Sequence, residues 1–191
     1  MSRFLRLLSS WSFCLSLFLI PAYIPQAAAE VARSPIPAQV VQIDGYPFPA
    51  KLAGLVRGLK TDYGTPGLGF SVRYETPGEG WVDIFIYDLG YDLTSSNARQ
   101  NSIEQRDSAL DDIKTAVSAG SYQEAKLITK ADANPYAKAH LMITQRGTTR
   151  DSFIFITVAK KHFVKIRYTT SARNAEKLAE KFASEYARLL K

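Results

Sequence analysis

Residues 151–170 read DSFIFITVAKKHFVKIRYTT. Two runs dense in β-branched and aromatic side chains, 152–158 and 163–169, are separated by Lys160-Lys161, which predicts an antiparallel hairpin at the centre of a sheet. On its C-terminal side the period changes. Ala175, Leu178, Phe182, Tyr186 and Leu189 recur in steps of three and four, while Glu176, Lys177, Glu180, Lys181 and Glu185 lie off that stripe, so a closing helix is expected to lie on the sheet. On its N-terminal side, 137–145 (AKAHLMITQ) and 122–131 are further strand candidates. The polar turns at 132–135 and 146–149 make a four-strand meander the economical connection.

Before the meander, Ser102 can cap a helix running to about residue 119, with Ile103, Leu110, Ile113 and Val117 on one stripe and Gly120 closing it. Its acidic first half suits the positive end of the helix dipole. Residues 89–100 are polar and irregular. Further upstream, 68–74 (LGFSVRY) and 81–88 (WVDIFIYD) form a second hairpin around the turn residues of 76–80. In its second strand Val82, Ile84 and Ile86 share one face and Trp81, Asp83, Phe85 and Tyr87 the other, so both faces are expected to be at least partly covered. Residues 39–43 are a short strand candidate. Leu52, Leu55, Val56 and Leu59 are spaced for a short helix over 50–59, against the low helix propensity of Gly54 and Gly58. Residues 30–38 (EVARSPIPA) carry Pro35 and Pro37 without periodicity and read as a flexible linker. The expectation is a single α+β domain over 39–191, an antiparallel sheet of about six to seven strands flanked by helices.

The first 29 residues pose a separate question. Arg3 and Arg6 precede the apolar run 13–20, followed by Pro21, Pro25 and Ala27-Ala28-Ala29, the pattern of a secretory signal peptide cleaved after Ala29. The run is shorter than the roughly 20 residues needed to span a bilayer. The alternative is an uncleaved N-terminal anchor. Cleavage removes Cys14, the sole cysteine, leaving a chain with no thiol, disulfide or cysteine-based metal site. Charge is unevenly placed, because residues 138–191 carry 12 basic and 4 acidic side chains while 30–137 carry 10 basic and 14 acidic. That asymmetry makes an anionic partner thinkable.

Strand, short helix, hairpin, long helix, four-strand meander and closing helix together resemble the PsbP-like fold, a family that includes a lumenal extrinsic subunit of photosystem II and bacterial periplasmic DcrB-type proteins. The resemblance is carried by Gly69-Phe70-Ser71-Val72-Arg73-Tyr74, by the run from His140 through Tyr168 and by the helix over 179–190, and it spans residues 39–190. It implies a small accessory or binding protein without chemistry of its own. No family site residue transfers, because no family binding motif is visible.

Motifs for catalysis are missing from the sequence. His140 and His162 are the two histidines, and neither has a metal-ligand spacing such as HExxH. No GxSxG elbow and no phosphate-cradling glycine loop occurs. Asp83, Asp88 and Asp92 are the most suggestive carboxylates, but their spacing matches no calcium loop. No cofactor, metal or catalytic residue is therefore predicted. The best binding candidate is a sheet face. Lys161, Phe163, Lys165 and Arg167 alternate on the last strand, and beside Arg73, Trp81, Asp83 and Phe85 they would form a mixed basic and aromatic surface. The reading is an exported, monomeric, non-enzymatic accessory or binding protein of a bacterial periplasm. It would dock a protein or small ligand of anionic character on that face or on loops 89–100 and 131–135. Export disfavours nucleic acid. Two alternatives are a cofactor-free hydrolase using Asp83 and Asp88, and an envelope protein binding anionic lipid through Lys161 and Lys165.

Overall fold

A computed structural model describes residues 31–78 and 80–191. The expected signal peptide, its cleavage after Ala29 and Cys14 lie outside the described residues. Thirteen elements follow in order: β1 (Ala32–Pro35), β2 (Gln42–Ile43), β3 (Tyr46–Pro47), β4 (Lys51–Leu52), β5 (Leu55–Asp62), β6 (Phe70–Thr76), β7 (Gly80–Tyr87), α1 (Ala98–Ser118), β8 (Glu124–Asp132), β9 (Ala137–Gln145), β10 (Thr148–Ala159), β11 (His162–Thr170) and α2 (Ala175–Leu189).

The main sheet runs β1-β5-β6-β7-β11-β10-β9-β8, with β4 paired to β5 and every pairing antiparallel. It holds nine strands, more than the six to seven expected, and β2 with β3 makes a separate two-stranded ribbon. The hairpin over 151–170 sits inside this sheet, with Phe153 opposite Tyr168 and Ile156 opposite Lys165. Its turn is Lys160-Lys161, both with positive φ (49° and 67°), the two-residue geometry whose twist matches the flanking strands.

Three expectations are corrected. Residues 50–59 form a tight β-hairpin instead of a helix, because Ala53 (φ 52°) and Gly54 (φ 97°) turn the chain and Leu55 onward pairs with both β6 and β1. The supposed apolar stripe is split accordingly: Leu52 and Leu55 are buried, whereas Val56 and Leu59 are about half exposed. The linker over 30–38 is paired at Ala32–Pro35 with 59–62, which fills the otherwise open edge of β5. The long helix begins at Ala98, five residues early, since Ala98-Arg99-Gln100 are good helix formers. Ser102 is therefore not its cap; its Oγ donates back to the Ala98 carbonyl, and the first turn holds no acidic residue.

The two helices cover opposite faces. Helix α2 seats Phe182, Ala179, Ala183 and Tyr186 on Val72, Tyr74, Ile84, Ile166 and Tyr168. These side chains are buried, and removal of such apolar area from water is the main stabilising contribution. Helix α1 packs Ala109, Leu110 and Ile113 on Leu141, Ile143, Ile154 and Ile156. Its main contacts are with β8, β9 and β10, and Tyr87 of β7 and Phe163 of β11 join the same cluster, so it shields one half of its face and reaches the end of β7. The other half, over β5, β6, the Trp81–Phe85 stretch of β7 and the near side of β11 and β10, is the more open, bare half, with Arg73 exposed and Trp81, Asp83, Phe85, Lys165 and Arg167 half-buried. Among the described residues no helix is long and apolar enough to cross a membrane.

Candidate functional site

The bare half-face is built from strict strand alternation. In β6 and β7, Arg73 lies opposite Asp83 and Glu75 opposite Trp81; in β7 and β11, Phe85 lies opposite Lys165, Asp83 opposite Arg167 and Trp81 opposite Thr169. Directly paired residues point to the same side of a sheet, so Arg73, Trp81, Asp83, Phe85, Lys165 and Arg167 form one surface. Lys161 is not part of it. The chain enters β11 only at His162, and the turn residue Lys161 falls outside the alternation.

Three arginines of this face differ in how their charge is answered. Arg73 is answered fully: Nε and Nη2 donate to Asp83 Oδ1 and Oδ2, both at 2.8 Å, the bidentate geometry that is the strongest ordinary ion pair. Arg167 is held by neutral oxygens, its Nε donating to Ser152 Oγ (3.3 Å) and its Nη2 to the Tyr122 hydroxyl (3.1 Å). Arg150 has its guanidinium 5.7 Å from the Trp81 ring, with Arg73 at 5.8 Å from the same ring. No ion pair involves Arg150 or Arg167 among the described residues. A cleft of about 230 Å³ between these groups is lined by Arg73, Trp81, Asp83, Tyr122, Arg150 and Arg167. A second hollow of about 310 Å³ continues it towards Arg33, Tyr63 and Glu75.

Beside the cleft, Lys165 is half-buried, its ammonium 4.5 Å from the Phe85 ring and 5.4 Å from Tyr87. Desolvation, with Arg167 adding repulsion, pulls its pKa down to about 8. Tyr63 stacks on Phe85 (6.3 Å) and bonds to Ser71 Oγ at 2.9 Å. Burial raises the Tyr63 phenol, and the bond to Ser71 offsets part of that.

The carboxylates considered for hydrolysis are separated. Asp83 lies within β7 and Asp88 one residue past its end, five residues of extended chain further on, which puts them roughly 17 Å apart. Asp83 is engaged by Arg73, and Asp88 Oδ1 accepts from the Gly90 amide at 2.8 Å. The pairing of strands does bring partners to the histidines: His140 Nε2 lies 2.7 Å from Asp151 Oδ1 with its ring stacked on Phe153, and His162 Nδ1 lies 3.0 Å from the Tyr46 hydroxyl. Neither forms part of a group of three or more metal-ligating side chains among the described residues. In the loops offered as docking sites Leu93 is buried beside α1 and Arg99 Nη1 donates to the Ala133 carbonyl, while residues 89–92, 134 and 135 are exposed.

Arg150, Tyr63 and Tyr122 were not named from the sequence. Arg150 was hidden because β10 begins at Thr148, four residues before the expected strand; stepping back by two from Ser152 would have put it on the same face. Tyr63 sits just beyond the end of β5, and Tyr122, expected as the first residue of the strand over 122–131, falls two residues before β8.

No protein-family model matches the chain, and no curated protein matches it. The fold is similar to the solution structure of a cyanobacterial PsbP (CyanoP) from Synechocystis sp. PCC 6803, with 15% sequence identity and a TM-score of 0.48 over 84% of this chain and 94% of that one.

Proposed function

We propose that the protein is an exported, monomeric accessory protein of a bacterial periplasm, without catalysis of its own, that docks an acidic partner on the bare half of its sheet. Export is supported by the pattern over residues 1–29. The observation that carries the docking is the imbalance of charge on this face: Arg33, Arg73, Arg150, Lys165 and Arg167 stand against Glu75, Asp83 and, at the α1 border beside Lys165, Asp112. Basic groups that are merely solubilising do not need to gather around an indole on a sheet surface that the helices leave open.

Photo-crosslinking groups placed at Thr61 and Glu75 on the bare face, and at Lys114 on the outer side of α1, test the reading in intact cells. Adducts are expected from the two face positions, weakened by salt and by Arg150→Glu. Adducts arising mainly from Lys114, or insensitive to Arg150→Glu, would overturn it.

A further inference from the structure

We infer that the cleft between Arg150 and Arg167 is a carboxylate pocket that receives an aspartate or glutamate side chain of the docked protein partner. The inference rests on the docking face proposed above and names the group that the face reads.

The chemistry is already present once within the molecule. On the same cleft wall Arg73 holds Asp83 through two 2.8 Å hydrogen bonds, while Arg150 and Arg167 have no carboxylate among the described residues. Arg167 is braced so that one side stays available: Nε and one Nη2 hydrogen serve Ser152 and Tyr122, leaving the Nη1 hydrogens and the other Nη2 hydrogen as a fork. Trp81 backs Arg150, and both arginines project from strands in the interior of the sheet, so the backbone that carries them is ordered before binding. The cleft, at about 230 Å³, is smaller than the roughly 300–1,000 Å³ typical of pockets for whole small ligands. A single acidic side chain suits that space. Asp83 also lines it, and its charge penalises a dianion such as phosphate more than a carboxylate monoanion. Phe85 and Ile143 in the walls lower the local polarity, which strengthens a charge-assisted hydrogen bond.

Trp81 reports the event directly. The chain contains two tryptophans, Trp11 and Trp81, so a full-length Trp11→Phe protein emits from Trp81 alone. It is titrated with an acetylated, amidated peptide containing one glutamate, with the same peptide carrying glutamine, and with inorganic phosphate. A saturable emission change is expected with the glutamate peptide only, its affinity falling about tenfold in Arg150→Gln and again in Arg167→Gln, as for loss of a charge-assisted pair. Circular dichroism of both variants checks folding, and Arg150→Lys, which keeps the charge and loses the fork, should recover only part of the affinity. Equal response to the glutamine peptide, tighter binding of phosphate, or indifference to both substitutions would overturn the pocket. Face-specific crosslinks combined with a silent Trp81 would remove this inference and leave the docking face standing.

Discussion

Gly69 shows how a single position can be set by tertiary contact. Its φ is +58°, and a Cβ there would lie 2.0 Å from the Ile86 carbonyl oxygen on the neighbouring strand. Gly69→Ala is therefore expected to destabilise the protein by more than about 2 kcal/mol in urea denaturation, a cost a free-standing turn glycine such as Gly78 should not show. Lys165 is the opposite case, a residue retained at a cost. Its folded pKa of about 8 lies below the 10.5 of a free lysine, so its contribution is favourable above 10.5 and is lost as pH falls through about 8. At pH 7 the penalty is fully in place. Lys165→Met should raise stability there by about 1–2 kcal/mol, with the difference shrinking above pH 10.5. The sequence identified Lys165 as a basic residue on the correct side of the strand. Its partial burial against Phe85 and Tyr87 could not be read, because that depends on how far α1 extends across the sheet.

At the level of elements, α1 is docked through an arginine that its sequence stripe did not include. Arg106 is 1% exposed; Nε donates to Asp107 at 2.9 Å and Nη1 to the Asp132 carboxylate and to the Ala131 carbonyl at 3.3 Å, clamping the helix to β8. Helical spacing alone marks Ile103 and Val117 as core, yet both are only partly buried. Arg106→Ala is expected to cost about 2–3 kcal/mol and to raise hydrogen exchange in α1 and β8 while β5–β7 stay protected. Arg106→Met, which keeps the packed stem, should cost less. The β10–β11 turn offers the reverse test. Lys161 holds φ 67°, a conformation that costs a non-glycine residue roughly 1 kcal/mol. Lys161→Gly is expected to raise the melting temperature and to leave glutamate-peptide binding unchanged, since Lys161 stands off the docking face.

For the whole molecule, the distribution of tyrosines governs behaviour in alkali. Tyr46, Tyr74, Tyr136 and Tyr186 are buried in the α2 core and Tyr87 in the α1 core. Burial pushes Tyr46 up to about 12 and raises the other four as well. A raised phenol stabilises the fold below its unfolded value near 10 and loses that contribution as pH rises through the folded value. Part of the tyrosinate absorbance, that of these five buried phenols, should therefore rise together with unfolding above pH 10; complete tyrosinate formation before the circular dichroism changes would contradict shared burial.

The sequence by itself determined that this is an α+β chain with an antiparallel sheet, a central hairpin and a closing amphipathic helix. Those features follow from periods of two and 3.6 residues, which each segment carries alone. It also placed Arg73, Trp81, Asp83, Phe85, Lys165 and Arg167 on one parity of their strands. Only the tertiary structure decided that β7 lies beside β11, that 50–59 is a hairpin, that Arg150 joins the face and that α1 leaves that face open. Such outcomes depend on which distant edges and apolar surfaces find each other, a competition over the whole chain that no local pattern encodes.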